Sequence, residues 1–316
     1  MTSPTLHGIH PATILPNSVT GFNIYLSNRE EERPIKFLAN NQLVDEAECG
    51  QLRSQQGLQV FIEETSRESY REYLSTHSSQ WMNDPGIPAS MKTELLLECM
   101  LAKWQVGFQS TDWDRVVALS REISEQLTDA IERIGIQIPH VLEHLDAGTN
   151  PTVHALRTGI YCALLSKELG FDRPTMIELC MGGMLHDVGK RSMGDEAELA
   201  SHVNERSTRA HPLIGFRRLC RCADLPMTSL LMCYQHHENF DGSGFPVQLV
   251  DQEIHVGARI CAIANRFDHL TSNENPRMAY APGSAGRILE QDKSNRFDPE
   301  IMKAWLKLLK THLRNS

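Results

Sequence analysis

Single alternation of apolar and polar positions marks the first quarter of the chain, and helical spacing takes over afterwards. Phe22, Ile24 and Leu26 alternate with Asn23 and Tyr25, which predicts a strand. A second strand is expected at Ile35, Phe37 and Leu38 after the polar turn 27–33, and a third at Val60, Phe61 and Ile62. Residues 44–55 read as a helix that stops near Gly57. Residues 1–20 carry Pro, Gly, Ser and Asn without periodicity and are expected as an extended arm. A small α+β module over 21–76 follows from these elements.

From residue 90 onward the pattern is helical. In 112–134 the apolar positions Val116, Ile123, Leu127 and Ile134, with Ser120 and Ala130 between them, step by four and three. Such a stripe serves either as a core face or as the seam of a homodimeric coiled coil. Residues 77–139 therefore read as a helical linker. Residues 153–169 put Val153, Leu156, Ile160, Ala163 and Leu164 on one face, and 175–186 is almost wholly apolar, as a buried central helix must be. Pro226 opens a further helix that reaches His236, 256–270 is another, and Asp298-Pro299 starts the last. The fold class is mainly α: a helical bundle over 140–316 with the small α+β module before it.

Composition narrows the partners. A formal net charge of -9 disfavours binding to bulk nucleic acid. Eight cysteines are scattered without a Cys-x-x-Cys pair, which argues against a structural zinc knuckle and for a reducing cytoplasm. The first residues lack a basic stretch followed by an apolar core, so no signal peptide is expected. No apolar stretch reaches the roughly 20 residues that span a bilayer, so no membrane partner is expected.

The chemistry concentrates at helix ends. His186-Asp187 closes one very apolar helix and His236-His237 closes another, while His154 lies at the head of a third and His211-Pro212 sits between. A buried imidazole or carboxylate must find a partner, and a metal ion answers both demands. Adjacent helical residues point about 100° apart, so His186 and Asp187 reach around one site while Asp187 bridges two ions. Imidazole with carboxylate suits iron, manganese or zinc better than magnesium or calcium. Lys190 follows Gly189 and reads either as a cation at a helix C-terminus or as a donor to a phosphate oxygen. Glu238, Asp241, Gly242 and Gly244 form a polar, glycine-containing loop that reads as a wall of the site.

These runs resemble a known family. His186-Asp187-x-Gly189-Lys190, His211-Pro212-x-x-Gly215 and His236-His237-Glu238-x-x-Asp241-Gly242-x-Gly244-Phe245-Pro246 are similar to the HD-GYP subgroup of the HD phosphohydrolase superfamily. Ala258 through Asn265 to Ser272, and Phe297-Asp298-Pro299, extend the likeness over about 140–312. The α+β module also resembles the segment that precedes some members. The resemblance implies an all-helical domain with two or three metals and cleavage of cyclic di-GMP to the linear dinucleotide or to GMP. It implies metal ligation by His154, His186, Asp187, His211, His236, His237 and Asn265, with Asp187 as the bridge. It implies catalytic roles for Asp187 and Lys190, and substrate contacts at Lys190, Asp268, Arg277, Gly242 and Gly244.

The departures are specific. Asn265 stands at a usual Asp, and Asn150 at the Glu of three-metal members, so two transition-metal ions are expected: iron, with manganese or zinc accepting the same ligands. Phe245 replaces the signature Tyr, and Glu274 puts negative charge where an Arg is usual. The expected function is a metal-dependent cyclic di-GMP phosphodiesterase of bacterial signalling. The alternative is a catalytically weak or inactive module that senses the dinucleotide or binds a signalling protein.

Overall fold

Alternation becomes strands where one face can be buried. In the computed structural model the described residues are 5–27, 34–54, 58–145, 150–192, 209–272, 279–292 and 295–314. The chain divides into two units, residues 1–102 and 103–316. The first holds strands β1 (Leu6–Ile9), β2 (Ser18–Val19), β3 (Ile24–Ser27), β4 (Ile35–Leu38), β5 (Leu43–Val44) and β6 (Gln59–Glu63). Its helices are α1 (Glu46–Ser54), α2 (Arg67–Thr76) and α3 (Ser78–Asn83). Four strands form an antiparallel sheet in the order β1-β6-β3-β4, and β2 pairs with β5. Ile24, Val60 and Ile62 turn to the core with Phe22, Leu52 and Leu74.

The extended arm expected over 1–20 is corrected. Leu6–Ile9 is a sheet strand, with Leu6 opposite Glu63 and Ile9 opposite Val60. Ala12 to Leu15 are buried. The Tyr73 hydroxyl accepts from the Leu15 amide at 2.9 Å, and the Thr13 and Tyr70 hydroxyls lie 2.8 Å apart. Backbone pairing needs no side-chain period, and the tyrosines that fasten this segment lie far along the chain.

Helix α4 (Ala89–Phe108) carries the division between the units. The second unit continues with α5 (Trp113–Arg133), α6 (Ile138–His144), α7 (Pro151–Glu168), α8 (Arg173–Leu185) and α9 (Val188–Ser192). It ends with α10 (His211–Leu219), α11 (Met227–Gln235), α12 (Val256–Thr271), α13 (Pro282–Glu290) and α14 (Pro299–Arg314). Side-chain caps start several helices: Asp112 accepts from the Arg115 amide, Asn150 from Thr152 and Asp172 from Thr175. Each cap satisfies an amide that the first turn leaves without a partner.

Helices α7 and α8 form the centre, with α5, α11 and α12 packed around them. Of the α5 stripe, Val116, Ser120, Ile123, Leu127 and Ala130 are fully buried within this unit, and Ile134, at the helix end, is partly exposed. The stripe is therefore a core face, and the expectation of a dimer seam along 112–134 is withdrawn, because its apolar surface is already covered. On the other side, Trp305 of α14 packs edge-on against Tyr161 of α7 and Phe267 of α12.

The approach of α7 to α8 depends on small residues. A Cβ on Gly183 would lie 2.8 Å from the Gly159 Cα and 2.9 Å from the Thr158 carbonyl oxygen, both backbone atoms. Gly183→Ala is expected to destabilise the protein by about 1–3 kcal/mol through overpacking. Gly283→Ala, where the nearest side-chain atom is 3.9 Å away, is expected to change stability by less than about 0.5 kcal/mol. Denaturant unfolding of both variants checks this, and equal stability would contradict the close-approach explanation.

Candidate metal centre

The helix ends converge. His186 follows the last residue of α8, Asp187 lies in the turn before α9, and His154 sits in the first turn of α7. His211 opens α10, while His236 and His237 follow α11. Two groups result: Asp187 with His211, His236 and His237, and Asp187 with His154 and His186. The six side chains named from the sequence at these positions are thus brought together.

Asp187 is common to both groups, and its two oxygens divide between them. Oδ1 lies 3.1 Å from His211 Nε2 and 3.5 Å from His236 Nε2. Oδ2 lies 3.3 Å from His186 Nε2 and 3.6 Å from His154 Nε2. Lys190 Nζ sits 2.5 Å from Oδ2 and is 48% exposed, so it lies on the solvent side.

The outer partners of the imidazoles fix which nitrogen faces inward. His186 Nδ1 is 2.8 Å from the Gly183 carbonyl, and His236 Nδ1 is 3.0 Å from the Cys233 carbonyl. Both contacts are with acceptors, so Nδ1–H donates and the Nε2 lone pair points into the site. His154 Nδ1 donates to Asp268 Oδ2 at 2.7 Å. Inside, His154 Nε2 lies 3.2 Å from His186 Nε2, and His211 Nε2 lies 3.2 Å from His236 Nε2. Two ring nitrogens at this range need a proton or a cation between them. Metal–nitrogen bonds of about 2.1 Å at about 90–109° separate two ligand atoms by about 3.0–3.4 Å. The donor set therefore fits a divalent metal. Asp187 Oδ1, buried without a hydrogen-bond donor, fits as well.

Proton affinities follow these surroundings. Burial pushes His186 down to about 4 and also lowers His236 and His237, so all three are neutral at pH 7 and able to ligate. Burial also acts to lower His154, but the Asp187 and Asp268 carboxylates outweigh it and bring His154 up to about 10. Burial would raise Asp187; the imidazoles, His186 foremost, hold it well below the usual carboxylate range.

Other expected positions have different surroundings. Asp268 is corrected from a substrate contact to a positioning residue. It is fully buried, orients His154, pairs with Arg157 Nε at 2.6 Å and accepts from Ser272 Oγ at 3.3 Å. Asn265 is buried on α12, one turn before Asp268, and its Oδ1 has no hydrogen-bond donor. Asn150 spends its Oδ1 on the Thr152 amide and hydroxyl, at 2.9 and 2.7 Å. Arg277 and Glu274 lie outside the described residues.

The loop after His237 is built from within. The buried Glu238 carboxylate accepts from the amides of Val247, Gln248 and Leu249. A Cβ on Gly244 would meet the Asn239 nitrogen at 2.2 Å, and Gly242 has φ +79. The two glycines expected to touch substrate thus have backbone reasons for their identity. Phe245 stacks on His237 with centroids 4.6 Å apart, so the ring that replaces the signature Tyr backs an inward-facing imidazole.

Two neighbours escaped the sequence reading. Arg157, 2% exposed, donates to Thr271 Oγ1 at 2.9 Å as well as pairing with Asp268. Its signal was spacing: His154 and Arg157 share a helix face at i, i+3. His269 lies with its ring 4.8 Å from that of His154.

Comparison with known proteins agrees with this architecture. The HD domain family matches residues 140–301. The chain is 28% identical over 198 residues to the cyclic di-GMP phosphodiesterase response regulator RpfG of Xanthomonas campestris, covering 61% of this chain and 51% of RpfG. It is 26% identical over 219 residues to the cyclic di-GMP phosphodiesterase PA4108 of Pseudomonas aeruginosa, covering 67% of this chain and 53% of PA4108. The chain thus spans about half the length of these relatives. The solved structure of Bd1817, an HDG"Y"P protein from Bdellovibrio bacteriovorus, superposes with TM-score 0.60 at 16% identity. It covers 97% of this chain and 100% of Bd1817, a likeness of fold over nearly the whole length.

Two outcomes follow from the geometry. Asp268→Asn removes the carboxylate that orients His154 and is expected to weaken divalent-metal affinity about 10–100-fold, measured by calorimetry; unchanged affinity would contradict the positioning role. The second concerns acid. Unfolded imidazoles take up protons near pH 6.5, whereas buried His186 does so only near 4. Between those values the unfolded chain holds more protons, so stability falls as pH falls through the window. The raised His154 contribution is fully present below pH 6.5 and does not oppose the loss. Tm of metal-depleted protein should drop from pH 6.5 to 4, and a flat profile would contradict the buried, neutral state.

Proposed function

Because the chain belongs to the HD domain family, we propose that it is a phosphodiesterase that uses two divalent transition-metal ions to hydrolyse cyclic di-GMP. The observation that carries this reading is the division of Asp187, with one oxygen toward each imidazole group. His154 and His186 would hold one ion, His211, His236 and His237 the other, and Asp187 both. Such ions, when bound, supply Lewis acidity toward water and phosphoryl oxygens. Iron is favoured, with manganese and zinc suited to the same donors. Asn265 is assigned as a neutral, weaker ligand beside His154. The engagement of Asn150 in capping α7 argues against a third ion.

The chain's own groups do the rest. Lys190 donates to a nonbridging phosphate oxygen, where a cation lowers the cost of charge gathering on phosphorus. Asp268 and Arg157 keep His154 in the tautomer that presents Nε2. Phe245 and the Glu238-pinned loop hold His237 in place and shield it from water. Protonation of the leaving 3′ oxygen falls to solvent. A cavity of about 600 Å³, lined by Phe108, Asn150, Thr152 and Arg191, offers room for a base of the dinucleotide.

A second reading has its own observation. Asn265 brings no negative charge to the site, which favours a module that binds the dinucleotide or a signalling protein without turnover. We assign the protein to the cytoplasm: no helix of the described residues is long and apolar enough to cross a membrane, and six of the eight cysteines are buried free thiols.

Metal-loaded, anaerobically purified protein is expected to release linear dinucleotide or GMP from cyclic di-GMP, followed by chromatography. Asp187→Asn should lower kcat by at least about a thousandfold, since it removes the carboxylate common to both groups. Bound metal without any nucleotide product would overturn the enzyme reading and favour the sensor.

A further inference from the structure

The two oxygens of Asp187 keep unequal company. On the Oδ1 side are three imidazoles, and Oδ1 itself is buried with no hydrogen-bond donor. On the Oδ2 side are two imidazoles, and Lys190 Nζ holds Oδ2 at 2.5 Å. Among the described residues, a divalent ion on the first side meets four donor atoms and no resident cation. On the second side it meets three, one of them already neutralised by an ammonium.

Like charges cannot share one carboxylate oxygen at bonding distance without a large Coulomb penalty. Lys190 must therefore leave Oδ2 before an ion uses it. The lysine is free to do so, since its side chain is 48% exposed on a flexible stem. Among the described residues the site is also short of anions: Asp268 is committed to Arg157 and His154, Asn265 is neutral, and Asp187 is the one carboxylate shared by both imidazole groups. A phosphate group supplies what is missing: negative oxygens for the second ion and a new partner for the ammonium.

Resting on the metal-dependent reading above, we infer that the two sides load unequally, with Lys190 as the guard. The first ion enters among His211, His236, His237 and Oδ1. The second, among His154, His186 and Oδ2, is completed by a substrate phosphate that draws Lys190 away. Lys190 then acts twice, first keeping the free site partly loaded and then contacting the phosphate. At metal concentrations between the two dissociation constants, the catalytic pair of ions is assembled only when an anionic substrate is present.

The test is titration of metal-depleted full chain with Mn²⁺, followed by calorimetry and by the electron paramagnetic resonance of bound Mn²⁺. Two dissociation constants are expected, separated by at least about tenfold. Inorganic phosphate should tighten the weaker about tenfold and leave the tighter within about twofold. Lys190→Met should tighten the weaker by about fivefold without phosphate. His186→Ala should remove the weaker event and spare the tighter one. Equal constants in the unaltered protein, or a weaker constant indifferent to both phosphate and Lys190→Met, would overturn the inference. The measurements on unaltered protein need no variant to fold. Two equal constants would leave the phosphodiesterase reading standing, whereas no Mn²⁺ binding would remove both.

Discussion

One carboxylate, only 13% exposed, organises the second unit. Asp187 faces four inward imidazole nitrogens within 3.6 Å, and its anion is held in place by their number. A charge so placed is costly unless it is matched, and each matching group comes from a different helix. That requirement explains why α7, α8, α10 and α11 all begin or end at the same point. Remove the carboxylate and the imidazoles face one another with nothing to gather around.

The scaffold serves this demand through packing. Gly159 and Gly183 let α7 and α8 approach closely, which sets His154 against His186. Trp305, Tyr161 and Phe267 hold α7 and α12 together behind the site, so that Asp268 reaches His154 and Arg157. Carbonyls at the C-terminal ends of α8 and α11 choose the tautomers of His186 and His236. Polar order at the centre thus rests on apolar contacts one layer out. A loss of packing there would be felt first as disorder among the imidazoles.

Much of this was legible in the residues. The apolar segments before His186 and His236 announce buried helices that end in groups needing partners, and strand periodicity located β3, β4 and β6. What escaped depends on long-range pairing. β1 is an edge strand whose pairing with β6 leaves no alternation in its own sequence, and its neighbours are fastened by Tyr70 and Tyr73. The α5 stripe is the same whether it meets another copy or α8, and only its burial decides. Asp268 lies in a motif beside the site, yet its work is behind His154, which no spacing rule conveys. Histidines outside the cluster have local duties: His10 and His255 cap helices, and His312 accepts from the Ile138 amide.

The central claim is that this cluster holds divalent metal at the Asp187 carboxylate. Anomalous scattering from crystals of manganese-loaded protein, recorded on both sides of the metal absorption edge, tests it most directly. The account predicts peaks on the two sides of Asp187, each within bonding distance of its imidazoles. Crystals that contain manganese yet give no anomalous peak among His154, His186, His211, His236 and His237 would contradict it.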